Sequence, residues 1–144
     1  MVKRIHLLLL LFFLCVGTCY ADSLHECFSG AANAYHLPQN ILVAIAQVES
    51  GFNPRAFHRN KDGSADIGLM QINSSHIPFL EKHGIARSAL WDSCSNIKIG
   101  AWVLATQMAK HGKTWRAVGA YNARSEEKRK VYVHKVWLAM RGAQ

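Results

Sequence analysis

A single turn-rich segment interrupts a chain that is otherwise patterned for helices, and it most constrains the possible folds. Residues 52–66 read FNPRAFHRNKDGSAD and contain an Asp62-Gly63 pair, which is typical of tight hairpin turns. The flanking stretches AFHRN and ADIGLMQI suit a small antiparallel sheet. One small β-hairpin element within helical sequence predicts an α+β fold that is mainly α.

Apolar residues recur at helical spacing on both sides of this segment. The pattern predicts helices from about Ser23 to His36, from Pro38 to Ser50, from Ser74 to His83, from Asp92 to KHGK, over WRAVGAYNA after Thr114, and from Glu126 onward. Pro38 suits a helix start and Gly51 a helix end. The sequence shows no internal repeat or linker, so we expect a single domain over residues 22–144.

The first 21 residues differ from the rest of the chain. A basic start at Lys3 and Arg4 precedes an apolar run from Leu7 to Val16 and then a small residue, Ala21. This is the pattern of a secretory signal peptide, and the run is shorter than the ~20 residues that cross a bilayer. We therefore expect residues 1–21 to be a cleaved signal peptide and the remaining domain to be exported.

Charge and cysteine content then indicate the partners and the compartment. Removal of the signal peptide takes away Lys3, Arg4 and no acid, so the formal net charge falls from +8 to +6. A basic exported chain favours anionic polymers over nucleic acid, and the sequence has no zinc-finger spacing, RNA-binding signature or clustered basic helix. Cys27 and Cys94 remain, and an even number in an oxidising compartment predicts a disulfide.

Three acids are not explained as ordinary helix or cap residues: Glu49, Asp62 and Asp66. Glu49 follows the apolar run ILVAIAQV in the last turn of a helix, where the helix dipole and the loss of solvent both disfavour its charge. A carboxyl group that stays protonated near neutral pH suits general-acid catalysis, whereas a solvated glutamate at a helix end is the alternative. Asp62 is best explained by the turn before Gly63.

Other chemistries find no support in the sequence. The segment NKDGSAD alternates oxygen-bearing side chains as a calcium loop does, but Ala65 and Gln71 stand where that loop needs a glycine and a bidentate glutamate. The chain contains no His-Glu-x-x-His pair, Gly-x-Ser-x-Gly elbow or Walker loop. We therefore expect no metal and no cofactor.

Three ordered motifs, AIAQVESGFNP, DGSADIGLMQINSSH and AVGAYNA, resemble the lysozyme-like lytic transglycosylases of bacteria. The likeness runs from about Cys27 to Trp137 and is greatest to the single-domain exported branch that accompanies secretion, conjugation and pilus machines. It implies a lysozyme-like fold, a periplasmic location and components of such a machine as partners. It also implies cleavage of the β-1,4 bond between N-acetylmuramic acid and N-acetylglucosamine in peptidoglycan, with a 1,6-anhydromuramoyl product.

The resemblance assigns roles to individual residues. Glu49 would protonate the glycosidic oxygen and then act as a base, with Ser50 supporting it. Tyr121 and Asn122 would approach Glu49 from the opposite wall and orient it. Six consecutive residues would line the glycan groove: Gly68, Leu69, Met70, Gln71, Ile72 and Asn73.

The role of Asp66 stays open at this stage. The middle motif is also similar to that of animal C-type lysozyme, which uses two acids, and Asp66 lies 17 positions after Glu49. In a transglycosylase the 6-hydroxyl of the muramoyl sugar is the nucleophile, so one acid suffices. Asp66 would stabilise the oxocarbenium-like transition state, support hydrolysis by water, or make only a structural hydrogen bond in the hairpin.

Arg124 departs from the family pattern, because this chain reads AYNAR where the family commonly has AYNAG. If the position adopts a left-handed conformation, arginine there costs ~1 kcal/mol or more. Arginine also adds a positive charge at the cleft edge. Besides a transglycosylase, the sequence leaves open a muramidase that uses water, a catalytically silent wall-binding assembly factor and a cationic antibacterial effector. In each case a monomer is expected.

Overall fold

The computed structural model describes residues 23–142, so the predicted signal peptide lies outside the described residues. Residues 23–35 form helix α1. The elements that follow are α2 (Gln39–Ser50), β1 (Phe57–Arg59), β2 (Ala65–Ile67), β3 (Ile72–Asn73), α3 (Ile77–Lys82), α4 (Ser93–His111), α5 (Trp115–Asn122) and α6 (Glu126–Gly142). Short 3-10 helices span Ser74–His76 and Arg87–Trp91.

The three strands form one antiparallel sheet in the order β1-β2-β3. Strands β1 and β2 form the predicted hairpin, in which Phe57 pairs with Ile67 and Arg59 with Ala65. Gly63 lies in the connecting turn with a φ of +84°, a conformation that glycine adopts without strain. The turn residues read from the sequence therefore set the position of the hairpin.

The second flank of the hairpin, ADIGLMQI, is divided between β2 and β3. Between the two strands, Gly68 has a φ of +78° and Gln71 a φ of +49°, so the backbone turns back on itself. Strand β3 then pairs with β2, with Asp66 opposite Asn73. The sheet gains a third strand in this way, and the side chains of these two partners become neighbours.

The predicted helix ends agree closely with the structure. Gly51 caps α2 with a φ of +60°, and its N–H donates to the Gln47 carbonyl at 3.0 Å. Asp92 caps α4, where its carboxylate accepts from the Ser95 N–H at 2.8 Å. Pro38 differs by one position, because it is the N-cap of α2 and not its first helical residue.

The helices pack around one apolar core. Helix α6 packs against α2 and α5, and α4 packs against α5. Fully buried side chains from several elements meet there: Leu42, Ile45, Ile67, Leu90, Ile97, Leu104, Val118 and Val136. Burying one such side chain stabilises the fold by about 1.5–3 kcal/mol. The predicted disulfide between Cys27 and Cys94 is present and joins α1 to the start of α4.

The fold class predicted from the sequence is confirmed, because the described residues are mainly helical with a small antiparallel sheet. Within residues 23–142 no helix combines the length and the apolar character that crossing a bilayer demands. The small sheet and the ends of α2 and α5 meet at one side of the molecule, and this is where the predicted functional residues gather.

Candidate active site

A polar cleft of about 570 Å³ lies between the sheet and the chain around α5 and α6. Three acids line it: Glu49 from α2, Asp62 from the hairpin turn and Asp66 from β2. Two bases, Arg124 and Arg129, line it from the chain that follows α5. The three acids that sequence reasoning singled out are therefore brought into one cleft.

A larger hollow of about 780 Å³ lies between α2 and α6. Its walls contain neither an acid nor a base: Gln39, Asn40, Val43, Ala44, Gln47, Phe52, Ala139, Met140 and Gly142. General acid–base chemistry needs a titratable group within reach of the substrate. We therefore assign the candidate chemistry to the smaller polar cleft.

Helix α2 places Glu49 in the cleft from its last turn. Burial is the main cause that raises the pKa of the Glu49 carboxyl above its ordinary value of 4.5. Hydrogen bonds from Tyr132 and Asn122 act against this rise, and the negative charge of Asp66 adds to it. The prediction that loss of solvent disfavours the charged form is confirmed, and the protonated form is the one that a general acid requires.

Two side chains donate hydrogen bonds to the same oxygen of Glu49. The Tyr132 hydroxyl on α6 donates to Oε1 at 2.6 Å. The Asn122 amide at the end of α5 donates to Oε1 at 3.4 Å. Among the described residues the other oxygen, Oε2, accepts no hydrogen bond, which leaves it for the acidic proton and for a substrate oxygen.

Tyr132 was not identified from the sequence as a site residue. It belongs to the apolar pattern of α6, it is only 5% exposed, and it reads as part of the core. Its hydroxyl is the signal that distinguishes it, because a buried tyrosine oxygen needs a hydrogen-bond partner. Burial raises the pKa of Tyr132, so the hydroxyl keeps its proton and remains a donor to Glu49.

Tyr121 lines the cleft, and the charge of Glu49 acts on its hydroxyl, but the two side chains share no hydrogen bond. Its hydroxyl donates to the Met70 carbonyl at 2.9 Å. Ser50 makes a similar bond to the residue before Met70, because its Oγ donates to the Leu69 carbonyl at 2.7 Å. The two bonds fasten the turn between β2 and β3 to the ends of α2 and α5. Both residues thus act on the site through its framework.

The six consecutive residues that were predicted to line the glycan groove divide into two halves. One half lines the cleft, namely Gln71, Ile72 and Asn73. The other half is enclosed in the protein, namely Gly68, Leu69 and Met70. The prediction that all six residues line the groove is wrong for this second half, because the turn between β2 and β3 directs those residues into the core.

Asn96 on α4 holds the enclosed half in place. This side chain is only 1% exposed, and its Oδ1 accepts from the Met70 N–H at 2.6 Å. Its Nδ2 donates to the carbonyls of Ile67 at 3.0 Å and of Leu90 at 2.8 Å. A Cβ atom at Gly68 would collide with this amide, so only glycine fits there. Sequence reasoning did not identify Asn96, since nothing in CSNIKIG indicates its distant partners.

Asp66 is held by two side-chain amides. Asn60 donates to its Oδ2 at 3.0 Å, and Asn73 donates to its Oδ1 at 2.7 Å. Both amides also donate to the Ser64 hydroxyl at 3.1 Å. The structural hydrogen bonds that the sequence left as one alternative are therefore present. Asp66 nevertheless lines the cleft, and its charge acts on Glu49.

The hairpin turn forms its own hydrogen-bonded network. Ser64 donates to Asp62 Oδ1 twice, from its backbone N–H at 3.0 Å and from its hydroxyl at 2.7 Å. The hydroxyl bond is the main cause that lowers the pKa of Asp62. Within residues 23–142 no three His, Cys, Asp or Glu side chains are grouped so as to hold a metal ion.

Arg124 enters the cleft without backbone strain. Among the described residues other than glycine, a positive φ occurs at His36, Phe52 and Gln71 and not at Arg124. The cost predicted for a left-handed arginine therefore does not arise. The predicted positive charge at the cleft edge is present.

Comparison with known families gives the class of protein to which this fold and site correspond. The model of the transglycosylase SLT domain matches residues 26–137, which include α2, the sheet, α4, α5 and most of α6. The chain belongs to this family. Its mainly helical fold with a small three-stranded sheet is the lysozyme-like fold that the sequence motifs predicted.

Individual relatives are similar over most of their length. Invasion protein IagB of Salmonella typhimurium is 40% identical over 135 residues, which cover 90% of this chain and 82% of the relative. Protein IpgF of Shigella flexneri is 40% identical over 106 residues, covering 73% of this chain and 70% of the relative. A peptidoglycan-binding-like protein of Escherichia coli O157:H7 is 38% identical over 124 residues, covering 78% and 74%.

Proposed function

We propose that the protein is a peptidoglycan lytic transglycosylase that cleaves the β-1,4 bond between N-acetylmuramic acid and N-acetylglucosamine. The observation that carries this proposal is the Glu49 carboxyl, whose pKa is raised by burial and whose Oε2 is free of hydrogen bonds from the described residues. A general acid needs these properties, whereas a binding module does not. Membership of the transglycosylase family supports the class of substrate.

The geometry supports a cycle in which Glu49 is first an acid and then a base. Glu49 gives its proton to the glycosidic oxygen while the bond from that oxygen to the anomeric carbon of the muramoyl sugar breaks. The 6-hydroxyl of the same sugar attacks the anomeric carbon and returns a proton to Glu49. The 1,6-anhydro ring closes, and the enzyme regains its starting protonation without using water.

Tyr132 and Asn122 favour the proton transfer, because hydrogen bonds to a carboxylate are roughly twice as strong as those to a neutral acceptor. Their stabilisation of Glu49 therefore grows as its charge develops, which is the differential binding that accelerates a reaction. Asp66, held by its two amides, presents a negative charge to the positive charge that develops at the anomeric carbon.

The first test is the substitution Glu49→Gln, which removes the proton donor but keeps the size of the side chain. We expect this variant to release no soluble muropeptides from purified sacculi, while Glu81→Gln, at an exposed glutamate on α3, behaves as the wild type. Mass spectrometry of the wild-type products should find 1,6-anhydromuramoyl ends. Undiminished release by Glu49→Gln would remove the basis of the proposal.

A muramidase is the second candidate function, and Asp66 is the observation that favours it. Asp66 lines the cleft together with Glu49, which gives the pair of acids that a two-carboxylate hydrolase requires, and the charge of Asp66 acts on Glu49. Products with reducing muramic acid ends would establish this reaction. Binding to sacculi without release of any product would instead identify a wall-binding assembly factor.

We further propose that the enzyme is exported to the periplasm and opens the wall locally for an envelope-spanning secretion, conjugation or pilus machine. The signal-like pattern of residues 1–21, the disulfide and the likeness to an invasion protein support this proposal. Cell fractionation should find a processed form in the periplasm. In a deletion strain the wild-type gene should restore assembly of the machine, and the Glu49→Gln gene should not.

A further inference from the structure

Arg124 is an unpaired cation at the edge of the cleft. It is exposed, it lines the cleft, and among the described residues it has no hydrogen bond or ion pair. Two neighbouring arginines are already engaged: Arg129 donates to the Ala123 carbonyl at 2.9 Å and lies 3.7 Å from Glu126, and Arg116 lies 3.5 Å from Glu126. Only Arg124 of this group keeps its whole guanidinium for a ligand.

The charge of Arg124 acts on Asp62, but Asp62 does not neutralise Arg124. The charge of Arg124 contributes to the lowered pKa of Asp62 on the hairpin turn, but it is a minor cause after the hydrogen bonds from Ser64. The two side chains form no ion pair, and Asp62 Oδ1 is already occupied by Ser64. The cleft therefore has a cation on one wall that an incoming anion can reach.

The chemistry of peptidoglycan supplies such an anion. In peptide-bearing strands the N-acetylated sugars carry no charge, because the lactyl carboxyl of each muramoyl sugar is joined to the peptide as an amide, so an arginine gains little from them. The peptide on each muramoyl lactyl group ends in, and contains, free carboxylates. A guanidinium binds a carboxylate through two parallel hydrogen bonds, which a lysine ammonium cannot reproduce.

We infer that Arg124 is a specificity-determining residue that binds a carboxylate of the peptide attached to the muramoyl sugar. The inference rests on the proposed function, since it takes peptidoglycan as the substrate. The enzyme then prefers glycan strands whose peptides carry free carboxylates over strands whose peptide carboxyl groups have been converted to amides. Arg124 acts in substrate selection, while Glu49 performs the chemistry.

The test compares one preparation of peptide-bearing glycan strands before and after its carboxyl groups have been converted to amides, because removal of the peptides would leave a lactyl carboxylate on each muramoyl sugar. We expect Arg124→Ala to lower kcat/KM on the untreated strands about tenfold and to lower it far less on the amidated strands. Arg124→Lys should recover only part of the loss, because it restores the charge without the paired donors. Arg87→Ala removes an exposed charge outside the cleft and serves as the matched control.

A binding measurement separates this inference from the proposed reaction. In the Glu49→Gln background, the affinities for the peptide-bearing disaccharide N-acetylglucosaminyl-N-acetylmuramoyl-peptide, with its carboxyl groups either free or amidated, are measured by calorimetry. Arg124→Ala should weaken binding of the form with free carboxylates about tenfold and spare the amidated form. Equal effects on both ligands, or complete rescue by lysine, would overturn the inference even if the wild type is active. A wild type that cleaves neither strand would overturn the proposed reaction, and the binding ratio would still decide the role of Arg124.

Discussion

Replacing Asn96 by leucine should destabilise the protein strongly. The substitution keeps nearly the same volume, so it removes hydrogen bonds without opening a cavity. The Met70 N–H and the carbonyls of Ile67 and Leu90 then lose their partner in a buried place. A buried polar group left without a partner costs ~1–3 kcal/mol, and the apolar leucine offsets part of the total. We expect a loss of about 3–5 kcal/mol, a large share of the ~5–15 kcal/mol that holds such a domain folded.

Urea denaturation of residues 22–144 with the disulfide intact, followed by tryptophan fluorescence and far-ultraviolet circular dichroism, gives the free energy of unfolding directly. A loss of this size also lowers Tm by about 10–20 °C for a domain of this length. Asn33→Leu, at an exposed position of α1, is the control and should change stability by no more than ~0.5 kcal/mol. If Asn96→Leu lowers the free energy of unfolding by less than ~1 kcal/mol, then water or a small backbone shift replaces the amide. In that case our assignment of Asn96 as the residue that holds the turn between β2 and β3 is wrong.

Three further predictions concern the acid and the disulfide. Tyr132→Phe removes a hydrogen bond that favours the charged form of Glu49, so the pKa of Glu49 should rise further. The alkaline limb of the pH–rate profile should then move to higher pH, and a limb that stays in place would contradict this role of Tyr132. Because the pKa of Glu49 is raised in the folded state, ionisation of this carboxyl costs stability as the pH rises above 4.5, the ordinary pKa of a glutamate. Glu49→Gln should therefore raise Tm relative to the wild type at pH ~8 but not at pH ~4. An equal difference at both pH values would show that the charge is not responsible. Reduction of Cys27–Cys94, which lie 67 residues apart, should lower the free energy of unfolding by ~4 kcal/mol in urea titrations with and without reductant.

Local signals in the sequence predicted most of the fold. Gly51 and Asp92 mark helix boundaries through chemistry that is complete within a few residues, and both are confirmed. The Asp62-Gly63 turn is confirmed for the same reason. The 3-10 helix Arg87–Trp91 was not predicted, because a single short turn has too few residues to show a period.

The site was less accessible to sequence reasoning because its contacts join distant parts of the chain. Tyr132 is 83 residues from Glu49, and no spacing rule connects an apolar position of the last helix to an acid of the second. The enclosed residues Leu69 and Met70 could not be told from the cleft-lining Gln71 by their place in a motif. The positive φ of Gln71 determines which of these three residues lines the cleft, and no residue of the motif before Gln71 predicts that conformation.

Both residues that donate a hydrogen bond to Glu49, namely Asn122 and Tyr132, lie in the last third of the chain. A ribosome delivers α2 and the sheet before α5, and it delivers α6 last of all. A nascent chain can therefore contain the acid and the groove residues while Tyr132 and Asn122 have not yet docked onto Glu49. The hydrogen bonds to Glu49 are complete only when the two ends of the domain pack against each other. A chain truncated before α6 therefore lacks both the Tyr132 donor and the part of the cleft wall that Arg129 supplies.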